Sequence, residues 1–340
     1  MKIADFDLTK DVLIIAEIGN NHEGSYARAE EMIGLAAQAG AGAVKFQTIV
    51  PEELVSIQDE KRKRQLEGFR LSYQDFEKLS QVARRERVLF LSTPFDIESA
   101  RFLEPLVPAF KIASGDNNFF PLIDVVAKTG KPIILSGGLS DLSELKITRD
   151  RIQNLWRQKG IGQELAILHC VVSYPTPPDQ ANLFAIRQIA QLGVTVGYSD
   201  HTLGIDAAVL SVALGARIIE KHFTLDKNFS EFHDHKIAAD PEEMSRLVRR
   251  VKETLQLLGR GVKEPQEAEK PMEEKVRRSI VAKRPLEKGA VLAWEDLAWV
   301  RPGGGLRPGL EDEILGKALR RPLAKGEQIR RDDLTQGDGD

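Results

Sequence analysis

Ionisable and polar residues recur at the ends of short apolar runs along the first two thirds of the chain. Glu17 lies near the end of the first run, Lys45 and Gln47 alternate along the second, and Lys111 lies in the fourth. Hydroxyl groups lie at or directly after the ends of four runs, at Thr93, Ser114, Ser136 and Ser199. Hydrogen bonds from ammonium groups to phosphate or carboxylate are about twice as strong as neutral ones. These residues therefore predict a site for an anion.

Two histidines and two carboxyl groups could supply further chemistry. His201 follows the seventh apolar run, His222 ends the eighth, and the two could share a metal ion, while Glu17 and Asp116 could act as acid or base. The sequence separation of the histidines is not a metal-binding motif. A lone strand lysine is also more often ion-paired than functional. Both interpretations therefore depend on a fold that brings these residues together.

The apolar runs predict that fold. Each run is short and rich in Val, Ile, Leu, Phe or Ala, as in parallel strands buried on both faces. They cover residues 12–18, 43–48, 88–92, 109–113, 132–136, 165–171, 194–199 and 217–222. Amphipathic helical patterns separate them, for example over 25–38 and 72–86. Residues 1–261 are therefore predicted to form an α/β (β/α)8 TIM barrel, whose strand ends meet at one mouth. A doubly wound sheet is the alternative, but no GxGxxG follows the first run.

The pattern changes after residue 261. Residues 262–278 are charged and contain two prolines, which indicates a linker, and residues 279–335 predict a small, mainly β module with tight turns. Within this module, residues 284–289 (RPLEKG) recur as residues 321–326 (RPLAKG), which predicts an internal duplication. The last five residues are predicted to be disordered.

Composition narrows the function classes. The chain has 340 residues, of which 42% are apolar and 29% charged, as in an ordinary soluble protein. A net charge of −3 gives no long-range attraction to nucleic acid or anionic membranes, so neither is expected as a partner. The single cysteine, Cys170, excludes an intramolecular disulfide and a Cys-rich zinc site. With no signal peptide and no apolar run near the roughly 20 residues of a membrane span, a cytoplasmic enzyme is expected.

Seven segments, taken in order, resemble motifs of the sialic acid synthases. They are residues 15–24 (IAEIGNNHEG), 44–48 (VKFQT), 92–95 (STPF), 110–115 (FKIASG), 174–177 (YPTP), 197–202 (GYSDHT) and 220–224 (EKHFT). The C-terminal module resembles the antifreeze-like, or SAF, domain that follows the barrel in these enzymes. The resemblance covers essentially the whole chain.

The resemblance implies that C3 of phosphoenolpyruvate attacks the aldehyde of an N-acylated hexosamine such as N-acetylmannosamine. Water then adds to C2 and phosphate leaves, giving a nine-carbon 2-keto acid. By match to the family motifs, phosphoenolpyruvate is held by Lys45, Thr93, Lys111, Ser114, Ser136 and Ser199. His201 and His222 bind a divalent metal, expected to be Mn²⁺, with Mg²⁺ or Co²⁺ as alternatives. Glu17 is the acid or base, and the sugar or the waters of the metal are faced by Gln47, Phe95, Asp116, Tyr174 and Asp234.

Arg301 matches the SAF-domain arginine that reaches the active site of a partner subunit, which implies a domain-swapped homodimer. Departures from the family pattern lie near the sugar side, at Asp116 and in residues 136–138, 171–173 and 228–235. They leave open N-acetylmannosamine, its 6-phosphate and 2,4-diacetamido-trideoxy hexoses as acceptors. Three other functions remain as alternatives: a deoxy-ulosonate phosphate synthase, a metal-dependent barrel hydrolase and a non-catalytic sugar-binding barrel.

Overall fold

A computed structural model describes residues 1–335 of the chain. The chain divides into two compact units, Met1–Gly259 and Arg260–Asp340. The disorder predicted for residues 336–340 lies outside the described residues. Within the described part, no helix has the length and apolar character needed to cross a membrane.

The first unit is a barrel of eight parallel strands. They are β3 (Leu13–Gly19), β4 (Ala43–Thr48), β5 (Leu89–Pro94), β6 (Phe110–Ile112), β7 (Ile133–Ser136), β8 (Leu165–Cys170), β9 (Thr195–Asp200) and β10 (Ile218–His222). Their hydrogen-bonded order is β5-β4-β3-β10-β9-β8-β7-β6, and β5 and β6 lie side by side at the remaining seam. The predicted TIM barrel is therefore confirmed, and each of the eight predicted strands lies within one or two residues of the observed one.

Helices surround these strands. They are α1 (Tyr26–Gln38), α2 (Pro51–Leu54), α3 (Glu60–Phe69), α4 (Tyr73–Arg85), α5 (Ile97–Leu103), α6 (Phe120–Lys128), α7 (Leu142–Lys159), α8 (Ala185–Ala190), α9 (Asp206–Ala213), α10 (His233–Ile237) and α11 (Pro241–Leu258). Single 3₁₀ turns cover Ser114–Asp116 and Pro178–Gln180. Side chains cap two of these helices at their N-termini: Ser25 accepts from the Arg28 amide, and Ser72 and Asp75 form a capping box.

Alternation along the strands places apolar and polar layers inside the barrel. A lower interior layer contains Leu13, Ile15, Leu91, Ile134, Leu168 and Ile218, with Ile3 and Leu8 from the N-terminal segment around the hairpin of β1 (Lys2–Ile3) and β2 (Phe6–Asp7). Because side chains of a strand alternate between faces, Glu17 follows Ile15 on the inward side and Glu220 follows Ile218. The larger hydrophobic cluster packs the other strand face against the helices. The apolar floor thus leaves the C-terminal strand ends free for polar side chains.

The second unit contains α12 (Lys270–Val276) and an antiparallel pair, β11 (Ser279–Ala282) and β12 (Leu297–Val300). Its 3₁₀ turns cover Glu267–Glu269, Trp294–Asp296, Glu311–Glu313 and Arg331–Asp333. The duplicated segments have the same local structure. Arg284 Nε donates to Asp296 Oδ1 at 2.8 Å and Arg321 Nε donates to Asp333 Oδ1 at 2.6 Å, while Leu286 pairs with Leu323 between the repeats. The internal duplication predicted from the sequence is therefore visible in the fold.

Candidate active site

A cavity of about 280 Å³ opens at the C-terminal ends of the barrel strands. Of the predicted site residues, the following line it: Glu17, Lys45, Gln47, Thr93, Phe95, Lys111, Ser114, Ser136, Tyr174, Ser199, His201, His222 and Asp234. Function in TIM barrels gathers at this face. The structure therefore assembles in one place residues that the sequence spreads over more than 200 positions.

Two buried ammonium groups lie deep in the cavity. The Lys45 side chain is 4% exposed, and its Nζ lies 2.9 Å from Glu17 Oε2 and 3.1 Å from Thr93 Oγ1. Lys111 Nζ donates to Ser136 Oγ at 2.6 Å and to the Ile112 carbonyl at 3.2 Å. Among the described residues, Lys111 has no carboxylate within hydrogen-bonding distance. A buried ammonium group that has no carboxylate as a hydrogen-bond partner favours the binding of an anionic ligand.

Glu220 lies between the two lysines. Its Oε1 accepts from Ser199 Oγ at 3.0 Å and is 3.8 Å from Lys111 Nζ, and its Oε2 is 3.7 Å from Lys45 Nζ. Burial alone would raise the pKa of Glu220, but the ammonium groups of Lys111 and Lys45 hold it at about 2. Glu220 is therefore charged at neutral pH.

Glu17 lies in a different electrostatic environment. Burial raises its pKa to about 7, against the opposing effect of the Lys45 ammonium group. Gln47 Nε2 donates to Glu17 Oε1 at 3.1 Å, and Asn20 Nδ2 donates to Gln47 Oε1 at 2.8 Å, so a chain of amides orients the carboxyl group. Gly19, with φ of +54°, lies over it, and a Cβ there would come within 3.2 Å of Glu17 Oε1. A carboxyl group with a pKa near neutrality can accept or donate a proton at physiological pH.

The two histidines are neighbours at the mouth. Their ring centroids are 5.4 Å apart, and the Tyr174 ring lies 4.3 Å from that of His201. His201 Nδ1 donates to the Val171 carbonyl at 2.8 Å, which leaves Nε2 with the lone pair when the ring is neutral. Burial lowers the pKa of His222 to about 4, so this ring is neutral near pH 7. Its Nδ1 is buried and, among the described residues, has no hydrogen-bond partner, although Asp234 Oδ2 is 3.5 Å away.

Neutral imidazoles with free lone pairs are the form of histidine that binds metals. Within residues 1–335, however, no three His, Cys, Asp or Glu side chains are placed to hold an ion together. The donor set therefore fits a metal held by two imidazoles whose remaining ligands come from water or substrate.

One predicted site residue of the barrel, Asp116, does not line this cavity. Asp116 lies in the 3₁₀ turn after β6, where its Oδ2 is buried with no hydrogen-bond partner in the described part of the chain. Burial raises its pKa to about 6, against the opposing effect of Lys111. Arg301 belongs to the second unit and is exposed directly after β12.

The cavity also contains residues whose role the sequence analysis missed. Arg62 of α3, Cys170 of β8 and His233 of α10 line it, in addition to Glu220. The inward alternation with His222 was a signal that could have identified Glu220. Cys170 likewise alternates with Leu168, whereas a charged helix such as α3 gives no comparable signal for Arg62.

Comparison with known proteins agrees with this geometry. Residues 32–263 match the NeuB family, and residues 277–335 match the SAF domain. The chain belongs to the NeuB family. Its relatives include N,N'-diacetyllegionaminic acid synthase of Legionella pneumophila, which is 38% identical over 92% of each chain. Pseudaminic acid synthase of Campylobacter jejuni is 34% identical over 98% of this chain and 100% of the relative.

A solved structure supports the same conclusion. The N-acetylneuraminic acid (sialic acid) synthetase of Leptospira borgpetersenii, in complex with citrate, is 35% identical and superposes with a TM-score of 0.71. The match covers 77% of this chain and 90% of that one. As a NeuB family member, the chain is an enzyme of the acid-synthase type. The family resemblance seen in the motifs and the barrel followed by a SAF domain are thus confirmed.

Proposed function

We propose that this NeuB family enzyme condenses phosphoenolpyruvate with an N-acylated hexosamine to give a nine-carbon 2-keto acid and inorganic phosphate. One observation carries the proposal: two buried lysines, surrounded by strand-end hydroxyls, lie in the same cavity as two adjacent imidazoles. This arrangement suits a small polyanion beside an aldehyde. The names of the relatives, which are synthases of legionaminic and pseudaminic acids, support the same type of product.

The lysines and hydroxyl groups would bind the first substrate, phosphoenolpyruvate. Lys45 and Lys111, with Thr93, Ser136 and Ser199, offer charged and neutral donors to the phosphate and carboxylate of phosphoenolpyruvate. Ser114 lies at the same end of the barrel, where its Oγ accepts from the Gly138 amide at 3.1 Å. Held in this way, phosphoenolpyruvate would present C3 toward the mouth of the barrel, where the new C–C bond forms.

The histidines would account for activation of the second substrate. His201 and His222 would hold a divalent ion, for which we propose Mn²⁺, with Mg²⁺ or Co²⁺ as alternatives. When bound, the ion would supply Lewis-acid polarisation of the acceptor aldehyde. Tyr174 and Asp234 lie against these imidazoles and would orient them, while Phe95 and Gln47 would contact the sugar.

We expect the pH dependence of kcat/KM to show the ionisation of Glu17. A carboxyl group with a pKa of about 7 is protonated below that pH and cannot then accept a proton. If Glu17 is the base, kcat/KM falls as the pH falls through about 7. Steady-state rates from pH 5.5 to 9 measure this, and Glu17→Asp, which shortens the side chain, should shift the acid limb. Asp116→Asn is the matched control, and an acid limb that moves only in that variant would assign the base to Asp116.

The acceptor is expected to carry acylamino groups. The relative from Legionella is named for a product with two N-acetyl groups, which favours a 2,4-diacetamido-trideoxy hexose over N-acetylmannosamine. Val172 and Phe232 give this side of the cavity apolar surface. Such surface suits acetyl or deoxy methyl groups better than a phosphate ester.

The assay that tests the function is phosphate release from phosphoenolpyruvate with Mn²⁺ across a panel of acceptors. The panel contains a 2,4-diacetamido-trideoxymannose, N-acetylmannosamine, N-acetylmannosamine 6-phosphate and arabinose 5-phosphate. Acceptor-dependent release that EDTA stops is the expected result. Release with arabinose 5-phosphate alone would assign the enzyme to the deoxy-ulosonate phosphate synthases. Phosphate release without an acceptor, or turnover of a substrate without phosphoenolpyruvate, would contradict the condensation.

We also propose that Arg301 acts on the acceptor bound by a partner subunit of a homodimer. We expect Arg301→Ala to lower kcat/KM for the sugar by about 10- to 100-fold, the loss typical of a hydrogen bond to a charged group. The KM for phosphoenolpyruvate should change little. Arg307→Ala, an exposed arginine of the same glycine-rich loop, is the control. Equal losses for both substrates would make Arg301 a structural residue.

Mixing Arg301→Ala, which is impaired, with His222→Ala, which is inactive, tests the domain swap directly. Arg301→Ala lacks the guanidinium but has an intact barrel, and His222→Ala has the reverse defect. If Arg301 serves the partner, a heterodimer contains one complete site, so the activity should rise above that of Arg301→Ala on mixing and exchange of subunits. If Arg301 serves its own barrel, every site in the mixture lacks one residue and the activity does not rise.

A further inference from the structure

Glu220 occupies the centre of the proposed phosphoenolpyruvate site. Its carboxylate lies within 4 Å of both ammonium groups and accepts the hydroxyl hydrogen of Ser199. These three residues are the same donors that the proposed function assigns to the substrate anion. The side chain is 8% exposed, and Oε2 has no hydrogen-bond partner among the described residues. A carboxylate of the protein therefore sits where a second anion is to bind.

The distances show that these contacts are ion pairs without hydrogen bonds. Lys111 Nζ is 3.8 Å and Lys45 Nζ is 3.7 Å from Glu220, beyond hydrogen-bonding distance, and each lysine donates instead to a hydroxyl group. By contrast, Lys221, on the helix-facing side of the same strand, binds Asp200 Oδ2 at 3.1 Å. Glu220 thus balances the charge of the two lysines but accepts no hydrogen bond from either ammonium group. Each ammonium group can therefore still donate a hydrogen bond to a ligand.

We propose that Glu220 is an internal counter-anion that holds Lys45, Lys111 and Ser199 in place and competes with phosphate groups for them. Repulsion between this carboxylate and a bound phosphate weakens anion binding. The inference rests on the proposed function, because that function places phosphoenolpyruvate at the same lysines. Its consequence is that Glu220 limits the affinity of the site for phosphoenolpyruvate and for the product phosphate. In a purely structural role, removal of Glu220 would instead disorder the lysines and weaken anion binding.

The test is calorimetric titration of the full-length protein with inorganic phosphate and with phosphoenolpyruvate, in EDTA so that anion binding alone is measured. Glu220→Gln keeps the shape and the acceptor for Ser199 but removes the charge. We expect it to bind phosphate about tenfold more tightly than the wild type, as the loss of a nearby like charge requires. Glu253→Gln, an exposed carboxylate of α11, makes the same change in net charge and should have no effect.

Glu220→Ala provides a second, independent readout. This variant leaves a space of carboxylate size, so acetate should enter it and weaken phosphate binding in the variant more than in the wild type. Thermal denaturation shows whether each Glu220 variant is folded. If one of them is not, the phosphate affinity of the folded one tests the inference. Unchanged or weaker phosphate affinity in the folded variants would overturn this inference about Glu220 but would leave the proposed function standing. If the wild type binds neither anion, the assignment of the lysines to phosphoenolpyruvate fails as well.

Discussion

Replacing His222 with alanine is expected to abolish metal-dependent turnover, lowering kcat by at least about three orders of magnitude. A Lewis acid contributes several kcal/mol to charge stabilisation in the transition state, and about 4 kcal/mol corresponds to that factor. The described residues contain no third His, Cys, Asp or Glu that could replace the lost ligand. His201 would remain as a single imidazole, which is too few protein ligands to retain the ion.

Metal binding can be measured apart from activity. Titration with Mn²⁺, followed by electron paramagnetic resonance of the free ion, should show loss of the tight site in His222→Ala. His169→Asn is the matched control, because His169 also lies on a barrel strand but binds the Ala181 carbonyl through Nε2 at 2.9 Å, outside the cavity. Full activity of His222→Ala in buffer supplemented with Mn²⁺ would contradict the assignment of His222 as a metal ligand.

The barrel could be predicted because its strands obey a simple rule. Each strand is buried on both faces, so it appears as an apolar run, and its inward positions recur every two residues. On the inward face of β3 the apolar Ile15 is followed two residues later by Glu17, which lines the cavity. On β5, Leu91 is followed by Thr93 in the same way. Once the barrel was predicted, the polar residues of the strand ends had to converge.

The pairing of charges inside the mouth could not be predicted in the same way. That Glu220, rather than Glu17, lies between the lysines depends on side-chain distances between strands that are far apart in sequence. Arg62 is a similar case, because α3 is charged on most of its surface and buries only Leu66. Its place over the cavity depends on tertiary packing, such as that of Phe69 at its end against Phe232, with ring centroids 4.9 Å apart.

Lys111→Met is expected to lower the affinity for phosphoenolpyruvate by about 100-fold or more while leaving the fold intact. Truncating one partner of a buried, hydrogen-bonded charge pair typically costs about 2–5 kcal/mol of binding free energy. In the free protein Lys111 donates only to a hydroxyl and a carbonyl, and burial lowers its pKa, so its charge is poorly stabilised there. Methionine fills a similar volume without that cost, and the Glu220 carboxylate keeps Lys45 and the Ser199 hydroxyl as partners, so the free energy of unfolding should change little.

Lys221→Met is the matched control, with the opposite expected result. Lys221 is equally buried, but its ammonium group binds the Asp200 carboxylate, which is fully buried, and the Thr202 carbonyl. Removing it leaves an unpaired buried charge, so the free energy of unfolding should fall by about 3–5 kcal/mol. The folded fraction should still bind phosphoenolpyruvate normally. Urea denaturation and calorimetric titration of both variants measure the two effects separately. If Lys111→Met lost stability and kept its affinity, Lys111 would be a structural lysine and the anion site would lie elsewhere.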